Sequence, residues 1–226
     1  MISVLTDFEE RVREIELYFE HLRLILTRDA ELFMPNNVTK KRKRIDSELH
    51  KVLKANSFLL LYNLSESSIR QALVELYDNI SAKQLPYEGF RDEIKKIWIA
   101  SKYKNFNGLG IDSIFVVLTS LYQDIVDIKF DKKESFSGNV DGRKIKELAS
   151  TLGFSVKTHY YFKDGVKLHE VKIQRNRLAH GEVSFAKCGR DYSYEDLEKT
   201  KKQVIGYLRG VLVNVQKYID NENFRV

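Results

Sequence analysis

Arg175, Asn176 and His180 stand close together in the segment Gln174-Arg-Asn-Arg-Leu-Ala-His-Gly181, and their side-chain types cover the needs of RNA cleavage. Histidine titrates near neutral pH, so it can remove or supply a proton. Arginine stays charged and holds a phosphate by two parallel hydrogen bonds. A base that takes the 2′-hydroxyl proton lets that oxygen attack the adjacent phosphorus. A cation stabilises the charge that gathers there, and an acid protonates the departing 5′-oxygen. None of these steps calls for a metal. Arg175 and His180 are therefore the candidate catalytic residues. Asn176 is a supporting candidate that would orient the histidine or the phosphate, although an Asn beside a helix end is as often structural.

The spacing predicts a helix from about Val166 to Ala179, which puts Leu168, Val171, Arg175 and Leu178 in one narrow sector. A guanidinium in the middle of an apolar face needs an anionic ligand or a carboxylate partner to offset its desolvation. An interfacial Arg that snorkels, or that pairs with a Glu of a neighbouring helix, meets the same need. On an unbroken helix Arg175 and His180 would diverge by about 140°, so the helix has to end between them. Gly181 is the left-handed terminator that would turn His180 back across the helix end. A symmetric dimer, in which a second copy brings its own Arg and His to the same cleft, is the other route to convergence.

Helix dominates the remaining pattern, with two prolines, Pro35 and Pro86, in the whole chain. Phe8, Val12, Ile15, Phe19, Leu22 and Leu26 mark an amphipathic helix from Asp7 to about Thr27. After a loop around Met34 to Val38 and the basic run Lys40-Lys-Arg-Lys-Arg44, Ile45, Leu49, Val52 and Leu59 fall on one line. The same line continues into Asn56, Asn63, Glu66 and Arg70, a polar stretch read as facing solvent or a hydrogen-bonded network, ahead of a cleft wall. Helical patterns recur at Ser67 to Ser81, Tyr87 to Tyr103 and Ile111 to Ile128, broken by Gln84-Leu-Pro86 and by the turn-rich stretch Asn105 to Gly110. Asp141 caps a helix Gly142 to Leu152 that Gly153 ends, and Phe154 to Phe162 is the place for a short strand. A capping box, Ser193-Tyr-Glu-Asp196, opens the last helix to about Asp220, with Leu197, Val204, Leu208, Leu212 and Val215 inward.

With 226 residues, 43% hydrophobic and 31% charged, the chain is expected to be one folded domain, 1–226. Residues 1–39 form its N-terminal helix and loop, and 40–226 its main helical body. A net charge of +6 and a pI near 9.1 tilt it towards polyanions without deciding the partner. Cys188 is the single cysteine, so no disulfide can form within the chain and no thiolate cluster can be built from it. The five histidines are not at ligand spacing, the acidic residues follow no metal-site pattern, and no Walker or Rossmann glycine loop is present. No metal and no cofactor are expected. The acidic N-terminal residues lack the form of a signal peptide, and no segment approaches a membrane span, so a cytoplasmic protein without a membrane partner is expected. The Lys40–Arg44 run reads as solvated surface ahead of an RNA grip, Tyr160 and Tyr161 as core packing ahead of base stacking, and Cys188 as an inert thiol. His169 reads as partly buried or as a surface group.

At Arg175-Asn-Arg-Leu-Ala-His180 the chain resembles the HEPN superfamily, helical proteins whose nuclease members carry an Arg, four to six residues and a His, often with Asn after the Arg. Leu53 to Glu66, Phe136-Ser-Gly-Asn-Val-Asp141, Leu178-Ala-His-Gly181, Ser184-Phe185 and Gly189-Arg190 are similar to the subgroup found among bacterial restriction and abortive-infection nucleases. The resemblance spans most of residues 50 to 220. It implies an all-α antiparallel helical bundle with additional helices and room for one short strand or hairpin. It further implies a homodimer whose paired Arg and His motifs line one cleft, and a metal-independent endoribonuclease acting as a toxin or antiphage effector. Arg175 and His180 are then catalytic, Asn176 assists, and Glu66 matches a recurrent acidic position of unassigned role. An antitoxin or a restriction or defence partner is implied as well. The Tyr that some toxins of the superfamily place two residues after the His, as a target for a nucleotidyltransferase antitoxin, is Glu182 here, so an antitoxin of that type lacks its target. The alternative is a non-catalytic helical module that binds RNA or protein, with Arg175 and His180 as interface hydrogen-bonders.

Overall fold

The computed structural model describes residues 1–27, 30–33, 42–102, 110–121, 126, 128 and 139–226. Among them lie eight α-helices: α1 (Ile2–Leu26), α2 (Ser47–Ala82), α3 (Asp92–Lys102), α4 (Ile111–Leu121), α5 (Gly142–Leu152), α6 (Val166–Ala179), α7 (Phe185–Arg190) and α8 (Tyr194–Asp220). Four of them make an antiparallel bundle, and the ion pairs along its seams give the directions. The α-amino group of Met1 meets Glu75 and the Tyr18 hydroxyl meets the Leu53 carbonyl, so α1 runs against α2. Glu9 holds Arg209 and Phe19 packs on Tyr194, so α1 runs against α8 as well. Gly165, at the start of α6, lies on the ring of Tyr207, and Gln174 near its end bonds Tyr192, so α6 also opposes α8. None of the helices is long and apolar enough to cross a membrane.

Local signals set several boundaries as expected. Asp141 accepts a hydrogen bond from the Lys144 N–H at 3.0 Å and starts α5, which Gly153 ends with φ +85°. The capping box at Ser193 and Asp196 is formed, and the five residues expected inward on α8 are buried. On α1 the line Phe8, Val12, Ile15, Phe19 and Leu22 is buried too.

Several expectations are corrected. The patterns on either side of Ser65 and Ser67 are one helix, α2, because the serine hydroxyls are absorbed by the carbonyls behind them: Ser65 Oγ donates to Leu61 O at 2.7 Å and Ser68 Oγ to Leu64 O at 2.6 Å. Its buried line passes through Ala55, Phe58, Tyr62, Ile69, Leu73, Leu76 and Ile80, while Leu49 is exposed and Val52 and Leu59 are half-buried. The core of a helix enclosed by α1, α6, α7 and α8 is set by where those neighbours fall, and one line of apolar residues did not identify it. The second correction concerns the strand. Residues 154–159 are not paired with any strand, and a 3-10 turn, Tyr160–Gly165, follows. Their carbonyls are taken by side chains of α8 and not by a ladder: Asn214 Nδ2 donates to Lys157 O at 2.8 Å and Gln203 Nε2 to Tyr161 O at 3.1 Å. The strands among the described residues are β1 (Glu31–Phe33) and β2 (Arg42–Arg44), an exposed antiparallel pair.

Candidate active site

Helix α6 has the span predicted for it, and its apolar face, Leu168, Val171 and Leu178, is buried. Arg175 projects with that face and is half-buried. Its guanidinium lies over the ring of Tyr62 on α2, 4.3 Å from the centroid, and Nη1 donates to Asn176 Oδ1 at 3.0 Å. A planar, weakly hydrated cation stacks on an aromatic face at low desolvation cost. This is the answer to the unpaired charge expected from sequence: no carboxylate pairs with Arg175 among the described residues, and an aromatic ring carries it.

Tyr62 is fully buried, and its hydroxyl accepts the Val140 N–H at 3.5 Å. Burial raises its pKa above the ordinary phenol value, and the Glu66 carboxylate near it adds to the rise. Glu66 in turn is held by Arg70 one helical turn on. The polar residues Glu66 and Arg70 on α2 therefore stand next to the ring that supports Arg175.

Residues 139–141 run alongside α6. Asn176 Nδ2 donates to Asn139 Oδ1 at 3.4 Å, and the Asp141 carboxylate accepts from Lys172 and faces His169 Nδ1 at 3.4 Å. Asp141 is buried. Burial alone would raise its pKa, but hydrogen bonds from Lys172, from the Lys144 N–H and from His169 outweigh it and bring it down to about 2. One carboxylate thus caps α5 and ties the preceding segment to α6, which holds Asn139 beside Asn176.

At its C-terminal end α6 closes in a Schellman turn. The Gly181 N–H donates to Leu178 O at 3.3 Å, the Glu182 N–H to Arg177 O at 2.9 Å, and Gly181 has φ +71°. A Cβ on Gly181 would meet nothing within 4 Å, so the glycine is there for its backbone alone. His180 occupies the cap at φ −89°, ψ 0°, with its N–H donating to Asn176 O at 2.9 Å and its side chain exposed. The chain then turns into α7, capped by Ser184. There a Cβ on Gly189 would fall far inside contact distance of the Lys51 carbonyl oxygen, so α7 is pressed onto α2. The helix end that presents His180 is fixed from both sides.

Within one chain, Arg175, Asn176 and Asn139 are brought together, whereas the ring of His180 bonds to none of them. The segments similar to HEPN nucleases meet here: Tyr62 and Glu66 from Leu53–Glu66, residues 139–141, the Arg175–Gly181 motif, Ser184 and Gly189. Residues 136–138 of that set lie outside the described residues. From sequence, Tyr62, Asn139 and Asp141 entered only as members of HEPN-like strings, with Asp141 also as a helix cap, and Lys172 was not singled out. An Arg on an apolar face signals that some partner exists but not which one.

Among the described residues no three His, Cys, Asp or Glu side chains converge as a metal site would need. Arg42, Lys43 and Arg44 are exposed on β2, and residues 40–41 lie outside the described residues. Cys188 is buried against Gln174, and burial pushes its thiol pKa up, as suits an unreactive group. Tyr160 and Tyr161 correct the expectation of core packing, being 84% and 42% exposed. The neighbouring Phe162 fills the space against α8 instead, above Gly206.

Compared with known proteins, the chain matches the family model described as MAE_28990-like HEPN over residues 3–224. Neither a curated protein nor a solved structure matches it.

Proposed function

The chain belongs to the MAE_28990-like HEPN family, and on that premise we propose that it is an endoribonuclease that cuts RNA by 2′-hydroxyl attack without a metal. The observation that carries this reading is a recessed cation with no carboxylate partner among the described residues, Arg175 on Tyr62, five residues before an exposed histidine that caps the same helix. A guanidinium so held keeps N–H donors that no described residue takes, and a phosphodiester offers two oxygens to them. His180, exposed at the helix end, takes the 2′-hydroxyl proton. The 2′-oxygen then bonds to phosphorus, the bond to the 5′-oxygen breaks, and an imidazolium returns a proton to that oxygen. The products are a 2′,3′-cyclic phosphate and a 5′-hydroxyl. Arg175 stabilises the charge on the phosphoryl oxygens, with Asn176 orienting its guanidinium and Asn139 holding Asn176.

Two proton transfers at opposite sides of one phosphate are served by two histidines. Because the His180 ring hydrogen-bonds neither Arg175 nor Asn176, a homodimer with a composite cleft is the arrangement we favour. A toxin or antiphage role, with a defence partner in the cytoplasm, is the biological setting that this chemistry suits.

The test uses wild type, Arg175→Ala and His180→Ala on mixed RNA and a 2′-deoxy analogue in EDTA. Cuts ending in 2′,3′-cyclic phosphate are expected from the wild type, with the analogue resistant and both variants inactive but folded. Cutting that requires Mg²⁺ or survives both substitutions refutes the mechanism. RNA binding without any cutting favours the non-catalytic module. A fully active monomer refutes the shared cleft alone.

A further inference from the structure

The stretch Lys157-Thr-His-Tyr-Tyr-Phe-Lys163 is built against the interests of the core. Two interior glycines of α8, one turn apart, leave room for it: a Cβ on Gly206 would collide with the Phe162 ring, and one on Gly210 would lie 2.7 Å from Thr158 Cγ2. Glycine inside a helix costs stability relative to alanine, so α8 gives up stability to seat these two side chains. Asn214 and Gln203 of α8 bond the carbonyls of Lys157 and Tyr161. Then Lys163, Asp164 and Gly165 all adopt left-handed backbone, with φ of 46°, 54° and 75°, which is unfavourable for the first two.

What this clamp holds outward is aromatic. Tyr160 is 84% exposed, Tyr161 42% exposed, and the rings of His159 and Tyr160 lie 4.4 Å apart at an interplanar angle of 37°. Lys157 and Lys163 stand at the two ends of the stretch, exposed and in no ion pair among the described residues. Exposed π-faces flanked by free ammonium groups are the complement of an unpaired nucleic-acid strand, whose bases stack and whose phosphates need cations.

We propose that residues 157–163 form a stacking platform for single-stranded RNA, in which His159, Tyr160 and Tyr161 take bases and Lys157 and Lys163 take phosphates. This rests on the ribonuclease reading for its biological sense, but it concerns binding and stands on its own geometry. The platform adjoins the first residue of α6 and the proposed catalytic motif closes the last turn. The 14-residue helix separates them by about 21 Å along its axis, the length of roughly six stacked nucleotides.

The test is fluorescence anisotropy with a labelled 2′-O-methyl 12-mer, which cannot be cut by 2′-hydroxyl attack and is long enough to bridge that distance. Tyr160→Ala is expected to weaken binding about five- to hundredfold, with Tyr160→Phe close to wild type and the melting temperature unchanged in both. Lys157→Ala and Lys163→Ala should each lower the slope of log K against log salt by about 0.7. Equal affinity of wild type and Tyr160→Ala overturns the proposal, even if the same face captures a protein. Equal losses in Tyr160→Ala and Tyr160→Phe also overturn it, because the hydroxyl and not the ring would then be responsible. If the wild type cuts RNA and Tyr160→Ala binds as wild type does, this inference fails alone. If Tyr160→Ala binds more weakly and no RNA is cut by the wild type, the platform stands and the nuclease reading fails. A wild type that does not bind the 12-mer refutes this inference.

Discussion

Asp141→Asn separates the electrostatic work of the buried carboxylate from its capping role, since Asn retains an oxygen that can accept the Lys144 N–H. In the native chain hydrogen bonds from Lys172, Lys144 N–H and His169 outweigh burial and bring the Asp141 pKa from 3.8 to about 2. A depressed carboxylate stabilises the fold above its unfolded pKa and loses that contribution as pH falls towards the folded one. The full contribution at pH 7, about 2 kcal/mol, should therefore persist to about pH 5, fall to roughly half by pH 3 and nearly vanish at pH 2. Urea denaturation of wild type and Asp141→Asn at pH 7, 5, 4 and 3 would measure the difference directly. A gap that stays constant over that range would refute the reasoning, because it would mean that the carboxylate's charge contributes nothing. Combining the change with Lys172→Met should give less than the sum of the two single losses at pH 7, since both remove the same ion pair.

Three further outcomes are expected. Arg175→Lys should lose most of the RNA-cleaving activity in a cyclic-phosphate assay despite retaining the charge, because an ammonium neither stacks on Tyr62 as a plane nor forms a two-pronged bond to phosphate. Wild-type activity in that variant would show that charge alone suffices. Gly181→Ala meets no side chain but must hold φ near +71°, so a loss of about 1–2 kcal/mol should appear as a melting temperature lowered by about 2–8 °C, with Gly181→Asn milder. Gly189→Ala should destabilise by about 1–3 kcal/mol, because its Cβ would press on the Lys51 carbonyl and lift α7 off α2. A calorimetric midpoint within 1 °C of wild type would contradict that.

What the amino-acid order determined by itself is whatever depends on neighbours along the chain. The span of α6, its left-handed stop at Gly181, the cap and stop of α5 at Asp141 and Gly153, and the capping box of α8 are all i to i±4 effects. The predominance of helix follows from the same periodicity, while the all-α bundle was what the HEPN resemblance implied. Tertiary structure decided the rest. Arg175 found the ring of Tyr62, far back in the chain, where sequence allowed a carboxylate partner as one of its alternatives. The buried line of α2 followed where α1, α6, α7 and α8 came to rest. Asp141 became a tie to α6 because Lys172 was brought to it. Tyr160 and Tyr161 lie outward while Phe162 and Thr158 occupy the spaces over Gly206 and Gly210. Hydrophobic burial is non-directional, so a tyrosine's place inside or outside is set by which of its neighbours fills the space first, and that competition has no local signature.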